Sequence, residues 1–393
     1  MLCYLKINTY LCGETYKITG MENPFIYGVA THGDCFTDRE KETERLKMNF
    51  THGINTMIIS PRRWGKTSLV NRVAELLADN DDVKVVRMDA FSCRTEDDFY
   101  KLFATEIIKQ TSSKVEQWIT DAKHFLTNLV PHLTMSTDPG SEISFSLEAI
   151  NNKYTADVLT LPERIAKEKG FSVVVCIDEF QQIANFHHSL SFQKKLRSVW
   201  QLQQNTSYCL FGSKRHILMG MFGKYSYPFY RFGDLMFLER IPVSYWTTYI
   251  QKRFETTKKH ISAELCEKVC EYVESNSSYV QQLAWLIWTF TNKTATEQSF
   301  ELAKEEIMRQ NHVLFQKYID ELSSYQISMI RAIANGHTTD LSTKNVIEEY
   351  NLASTANVAS MRKSLEAREL IEVIGKTYTI SDPLFAKWAY KNV

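Results

Sequence analysis

Five consecutive apolar residues at 173–177 form the sequence feature that most constrains the fold. The run does not alternate with polar residues, so it predicts a β-strand that is covered on both faces, as in a parallel sheet. Further strand patterns at 56–59, 83–91 and 208–211 are separated by helical patterns. Strands that alternate with helices predict βαβ units, and hence an α/β fold whose parallel sheet has helices on both faces.

The segment that follows the run at 56–59 has the composition of a phosphate-binding loop, and a helical pattern follows it. The loop and the first residue after it read Ser60, Pro61, Arg62, Arg63, Trp64, Gly65, Lys66, Thr67 and Ser68. Gly65, Lys66 and Thr67 fill the last three positions of G-x-x-x-x-G-K-[ST]. In such a loop the backbone amides bind phosphate, the lysine reaches the outer phosphates, and the hydroxyl binds Mg²⁺. The sequence therefore predicts ATP and Mg²⁺ as ligands.

Ser60 departs from this pattern, because it stands where the motif has glycine. A serine there must tolerate whatever backbone geometry glycine usually provides. The surrounding order of strand, loop and helix nevertheless supports the motif.

Two adjacent acids, Asp178 and Glu179, end the apolar run and complete the predicted site. Asp178 is the expected second Mg²⁺ ligand beside Thr67, and Glu179 is expected to orient the attacking water. Ser213 follows the run at 208–211 and is either a γ-phosphate contact or a turn residue. Arg231 is either a cation that stabilises the transition state or a structural surface arginine.

Composition bounds the remaining possibilities. The chain holds 46 basic and 46 acidic residues, so it is not a polyanion binder over its whole surface. Its eight cysteines form no C-x-x-C pair, which predicts reduced thiols in a cytoplasmic protein without a structural metal site. No apolar run is long enough to cross a membrane. Residues 1–23 are predicted to be either an N-terminal extension or a mis-called start, because Met21 opens the more motif-like sequence.

The C-terminal part has a different character. Residues 24–240 are the predicted ATPase core, 241–321 a helical lid, and 322–393 a winged helix-turn-helix with three short helices and two strands. Ser354 is the expected N-cap of the third helix, which would present Asn357, Arg362, Lys363 and Arg368. Residues 322–393 hold eight basic and seven acidic side chains, so DNA binding and protein docking both remain open, with docking favoured.

Several of these segments together resemble the archaeal-type ATPases of the STAND/AAA+ branch of P-loop NTPases, which also occur in bacteria. The matching residues are Phe36, Asp38, Arg39, Glu40, the Pro61-Arg62-Arg63 loop, Asp178-Glu179-Phe180-Gln181, Gly212-Ser213 and the terminal Asp382-Pro383-Leu384-Phe385. The resemblance covers residues 24–393 and implies an ATPase core, a helical lid and a C-terminal winged helix. Members often carry Gly-x-Pro in the lid, whereas 276–282 has no proline, which suggests slow hydrolysis.

The main functional hypothesis is a nucleotide-dependent switch that hydrolyses ATP with Mg²⁺ and works through self-association or a protein partner. One alternative is an ATP-liganded regulator that binds DNA through the winged helix. Another, carried only by the resemblance, is a scaffold in a defence-type complex.

Overall fold

The computed structural model describes residues 23–28, 38–112, 115–125, 131–134, 144–147 and 155–393. The chain divides into two compact units. One consists of Val29–Ile241 and Arg362–Glu372, and we call it the ATPase unit. The other consists of Met1–Gly28, Pro242–Met361 and Val373–Val393, and we call it the helical unit.

The strands in the described part of the chain fall into three sheets. Their bounds are β1 Thr56–Ile59, β2 Val83–Asp89, β3 Pro131–Thr134, β4 Ser144–Leu147, β5 Ser172–Asp178, β6 Thr206–Gly212, β7 Asp234–Phe237, β8 Ile371–Ile374 and β9 Thr377–Ile380. The large sheet has the order β2-β5-β6-β1-β7, and its strands pair in parallel. The antiparallel pair β3-β4 and the pair β8-β9 form the small sheets.

Helices surround the large sheet and make up most of the helical unit. Their bounds are α1 Glu40–Thr51, α2 Lys66–Leu76, α3 Glu96–Thr111, α4 Val115–Phe125, α5 Thr155–Leu159, α6 Leu161–Lys169, α7 Ser189–Trp200, α8 Arg215–Gly223, α9 Val243–Thr256, α10 Ala263–Tyr272, α11 Ser277–Thr289, α12 Glu297–Asp320, α13 Ser324–Ala334, α14 Lys344–Glu349, α15 Thr355–Ala367 and α16 Pro383–Asn392. In the described part of the chain, no helix combines the length and the apolar character needed to span a membrane.

The predicted doubly covered sheet is confirmed by the burial of β5. Residues 173–177 are all buried, and they contribute alternately to two separate apolar clusters. Val173, Val175 and Ile177 face the cluster that contains α3 and α7, whereas Val174 and Cys176 face the cluster that contains α1 and α2. A strand with a core on each face needs apolar side chains in both directions, which explains the missing alternation.

The strand order decides where the functional groups meet. β6 lies between the strand that precedes the phosphate loop, β1, and the strand that ends in acids, β5. The carboxyl ends of these three parallel strands therefore share one edge, where open α/β sheets bind ligands. Edge strand β7 was not predicted, because only four residues form it and only Met236 among them is buried.

The predicted run of helices at 242–320 lies in the helical unit and forms α9 to α12. The winged-helix pattern appears as α13, α14, α15 and the hairpin β8-β9. Arg362–Glu372, which holds the end of α15 and the start of β8, belongs to the ATPase unit. The amide of Asn357 donates to the Ser354 hydroxyl at 3.2 Å, so Ser354 caps the third helix as predicted. Helix α16 was not predicted. Asp382 begins it by accepting the amides of Leu384 and Phe385.

Candidate functional site

The phosphate loop joins β1 to α2 and leaves the start of that helix uncapped. Gly65 precedes α2 with φ of 84°, a left-handed conformation that glycine adopts without steric cost. Gly65 has no side chain that could cap the first amides of α2. These amides and the positive end of the helix dipole are therefore available to an anion. Ser60 has no positive φ, so the backbone at this position does not require the glycine of the motif.

Lys66 is buried and folds back over its own loop. Its Nζ donates to the carbonyl oxygens of Pro61 at 2.8 Å and Ser60 at 3.1 Å, and to the Ser60 hydroxyl at 3.3 Å. Burial lowers the pKa of Lys66 to about 8, although the carboxylates of Asp178 and Glu179 act in the opposite direction. The ammonium group is thus held by neutral oxygens and lacks a directly bonded carboxylate.

The predicted metal ligands lie together, Thr67 in the first turn of α2 and Asp178 at the end of β5. The Thr67 hydroxyl donates to Asp178 Oδ2 at 2.7 Å, and Asp178 Oδ1 accepts the backbone amide of Glu179 at 2.8 Å. Burial raises the pKa of Asp178, while these two hydrogen bonds oppose the shift. One hydroxyl oxygen and one carboxylate oxygen therefore converge beside the phosphate loop.

Glu179 lies at the start of the next turn, where two donors hold its carboxylate. Its Oε2 accepts the Ser213 hydroxyl at 3.1 Å and the Gln181 side-chain amide. The backbone of Glu179 is left-handed, with φ of 50°. Ser213 thus lies beside the predicted water-orienting acid. In the sequence, only the family resemblance marks Gln181, and no pattern predicts its contact with Glu179.

Gly212, the last residue of β6, allows this arrangement to be close. A Cβ atom at Gly212 would overlap Gln181 Oε1, and it would come within 2.9 Å of Gln181 Cδ and 3.2 Å of Glu179 Cα. The absence of a side chain at this position lets the strand end approach the turn that carries the acid.

Arg39 was also missed as a site residue. Its guanidinium is buried and donates to the carbonyl oxygens of Glu239 at 2.6 Å and Trp64 at 3.4 Å, and it forms an ion pair with Glu42 at 2.9 Å. Arg39 therefore connects the start of α1 to the phosphate loop. The resemblance drew attention to this residue, but an arginine that binds distant carbonyl groups leaves no periodic signal in a sequence.

The remaining predicted residues stand apart from this cluster. Arg231 is exposed and lies over the Tyr230 ring at 5.4 Å, and the described contacts do not join it to the acids. Its catalytic role stays a prediction. Arg62 is exposed in the loop, close enough to lower the pKa of Lys66. Phe36 lies outside the described residues.

On the winged helix, most of the side chains expected to face DNA have partners within the protein. Arg362 donates to Glu366 at 3.0 Å, and the Asn357 side chain donates to the Leu352 carbonyl at 3.0 Å. Arg368 is also engaged in an interaction. These contacts weaken the expectation that this helix reads bases.

Comparison with known proteins gives two family matches. Residues 36–219 match the family model of an ATPase domain found predominantly in Archaea, and residues 313–391 match that of a probable winged helix domain. A search of curated proteins found no match.

Solved structures share the fold at low identity. The Walker-type ATPase PABY2304 of Pyrococcus abyssi aligns with a TM-score of 0.64 at 16% identity, over 91% of this chain and 96% of that one. The ORC2 protein of Aeropyrum pernix, solved with ADPNP and ADP, aligns with a TM-score of 0.56 at 16% identity, over 90% and 92% of the two chains. These structures support a P-loop NTPase fold with a C-terminal winged helix.

Proposed function

We propose that this protein binds ATP with Mg²⁺ and hydrolyses it as a nucleotide-dependent switch; the match of residues 36–219 to the model of an ATPase domain found predominantly in Archaea supports this. The observation that carries the proposal is the 2.7 Å hydrogen bond between Thr67 and Asp178, directly beside Lys66 and the uncapped start of α2. Each group has the chemistry that a magnesium–triphosphate complex requires.

The residues fit both ligands on their own chemistry. The N-cap residue Gly65 does not cap the amides at the start of α2, and the Lys66 ammonium can exchange its carbonyl partners for phosphate oxygens. Oxygen atoms of a hydroxyl and a carboxylate are ligands that Mg²⁺ prefers. When bound, Mg²⁺ neutralises charge on the phosphates.

Glu179 is the proposed catalytic carboxylate. The hydrogen bonds from Ser213 and Gln181 fix one carboxylate oxygen, so the other is left to accept a hydrogen bond from a water molecule and orient it towards the γ-phosphate. Ser213 and Gln181 therefore position the acid.

Two variants test this assignment. Lys66→Ala should abolish ATP binding, whereas Glu179→Gln should bind ATP normally and lose roughly 100-fold or more in turnover, as expected when a residue that handles protons is removed. Calorimetric titration with ATP and Mg²⁺ measures the first property, and phosphate release measures the second. Wild-type hydrolysis in both variants would refute the assignment.

The switch itself has a separate test. Hydrogen exchange of residues 242–393 should differ between the ATP-bound Glu179→Gln variant and the ADP-bound protein, because a switch requires different interactions in the two states. Identical exchange would leave an ATPase without a switch. If Arg231 acts on a second copy of the chain, the specific activity should also rise with protein concentration.

A DNA-binding regulator is the second candidate, favoured by the match of residues 313–391 to a winged helix domain. Exposed Lys363 has no described carboxylate partner, unlike Arg362. Salt-sensitive duplex binding that survives Glu179→Gln but is lost on charge reversal of both residues would support this candidate. No gel shift at low salt would exclude it.

A further inference from the structure

The ATPase unit contains a long segment without acidic residues. No Asp or Glu occurs at positions 180–233, which run from the residue after Glu179 to the residue before Asp234. At the average frequency of the chain, a segment of this length would hold about six. The segment does hold seven cations, namely Lys194, Lys195, Arg197, Lys214, Arg215, Lys224 and Arg231. Although the whole chain has balanced charge, residues 180–233 carry an excess of positive charge.

Most of these cations are not neutralised by ion pairs. Lys195 lies 3.7 Å from Glu96, and Arg215 forms an ion pair with Glu372. The other five cations have no carboxylate within 4 Å among the residues that the structure describes. Among these five, Arg197 is half-buried with its guanidinium over the Phe232 ring at 4.7 Å. The charge of the other four is available to a polyanion.

The loop after α8 adds exposed aromatic rings to this charge. We call Lys224, Tyr225, Tyr227, Tyr230 and Arg231 the tyrosine surface. Tyr225 is 88% exposed and its ring centroid lies 5.6 Å from that of Tyr230. Lys224 lies over the Tyr227 ring at 5.9 Å, and Arg231 lies over the Tyr230 ring at 5.4 Å.

The tyrosine surface is anchored to the core of the unit. Phe229 lies within the loop and is fully buried, where it packs edge-on against Phe180 and Phe232 at 5.2 Å. Since this anchor fixes the loop, the rings are presented at a defined place. Exposed large aromatic residues beside cations are typical of binding surfaces.

We propose that the tyrosine surface binds single-stranded DNA. Rings stack on base faces, and nearby cations contact phosphates. The bases of a duplex are already stacked on each other, so their faces are accessible only in a single strand. Stacking and phosphate contacts need no 2′-hydroxyl, the group that distinguishes RNA. This surface belongs to the loop between α8 and β7, a different segment of the chain from the third helix of the winged domain.

Fluorescence anisotropy of the full chain with a labelled 20-nucleotide single strand tests the proposal. Tyr225→Ala should weaken binding by roughly 5- to 100-fold, the range for loss of one stacked base. Lys224→Gln should make the salt dependence shallower by about 0.7 in log K against log salt, the value for one phosphate contact. Tyr245→Ala is the matched control, because Tyr245 is an exposed tyrosine in the helical unit and should leave binding unchanged.

Four results would overturn the proposal. These are equal affinity for a duplex of the same sequence, at least tenfold tighter binding of the corresponding RNA, unchanged DNA binding in Tyr225→Ala, and loss of self-association in Tyr225→Ala without any DNA binding. The last result would identify an interface between copies of the chain. Binding of single-stranded DNA at this surface does not depend on ATP hydrolysis, so it should persist without nucleotide and in Glu179→Gln.

Discussion

Replacing Gly212 with alanine should uncouple ATP binding from hydrolysis. The added methyl group would overlap Gln181 Oε1 and lie 2.9 Å from Gln181 Cδ. Gln181 is only 1% exposed, so its side chain cannot move aside into solvent. It must shift within the core, and the hydrogen bond that it donates to Glu179 is then lost or distorted.

Two costs follow from this geometry. Inserting a methyl group into a packed site costs about 1–3 kcal/mol of folding stability. Losing a hydrogen bond to a charged group is worth about 1.5–3 kcal/mol. If that bond holds Glu179 in its productive position, turnover should fall by roughly 10- to 100-fold. Affinity for ATP should stay unchanged, because no atom of the phosphate loop is among the nearest neighbours of the added methyl group.

The assay combines steady-state phosphate release, ATP titration and urea unfolding. Gly220→Ala is the matched control, because Gly220 lies within α8 and a Cβ there would meet nothing within 4 Å. That control should retain full activity and gain slightly in stability, since alanine favours helix.

A double variant separates the two costs. Gly212→Ala with Gln181→Ala removes the overlap, so stability should partly recover. Turnover should remain low, because the donor to Glu179 is still absent. If Gly212→Ala hydrolyses ATP at the wild-type rate, the contact between Gln181 and Glu179 does not position the acid, and this reasoning is wrong.

Three further predictions concern the phosphate loop. In Thr67→Ala, Mg²⁺ should no longer increase the affinity for ATP, whereas Thr67→Ser should keep this increase because it retains the hydroxyl. Titration of ATP with and without Mg²⁺ measures the difference. ATP affinity should fall about tenfold per pH unit above pH 8, since the pKa of Lys66 is about 8 and only the protonated form binds phosphate; Lys66→Arg should show a flat profile. Arg39→Ala should cost about 1.5–3 kcal/mol of stability in urea unfolding, because the backbone carbonyls of Trp64 and Glu239 and the carboxylate of Glu42 lose their donor.

Local sequence predicted the centre of the site because its parts are short and contiguous. Gly65, Lys66 and Thr67 are three consecutive residues of the loop. Asp178 and Glu179 are also adjacent, and they directly follow the apolar run at 173–177. The apolar run at 173–177 does not alternate with polar residues and so predicts burial on both faces of the strand, and the structure shows all five residues buried. These sequence patterns depend only on residues that are close together in the chain.

The missed features depend on contacts between residues far apart in the chain. Gly212 and Gln181 are 31 positions apart, and their closeness follows from β6 being inserted beside β5. Arg39 reaches Glu239 across 200 positions. The overlooked strand β7 pairs on one side only, so it lacks the apolar pattern of the central strands. No periodicity in the sequence encodes these contacts.

The burial of Lys66 indicates that the phosphate loop is held at a cost to stability. Its pKa in the folded protein, about 8, is below the ordinary value of 10.5. The folded state therefore disfavours the charged form, by up to about 3 kcal/mol. Below pH 8 the lysine is charged in both the folded and the unfolded state, so the penalty is fully present. Between pH 8 and pH 10.5 the unfolded chain binds more protons than the folded protein, so the stability of the fold rises with pH.

Lys66→Met should therefore be more stable than the wild-type protein at pH 7 without nucleotide, by up to about 3 kcal/mol. It should lose nearly all of this advantage by pH 10.5, where the wild-type lysine is neutral in the folded state and half neutral in the unfolded chain. Addition of ATP should stabilise the wild-type protein through mass action, and it should leave Lys66→Met unchanged. Urea unfolding at pH 7 and pH 10.5, with Lys84→Met as a control on a partly buried lysine of β2, measures both effects. Lower stability of Lys66→Met at pH 7 would mean that the carbonyl contacts of the ammonium outweigh its desolvation, and nucleotide binding would then gain nothing from relief of a buried charge.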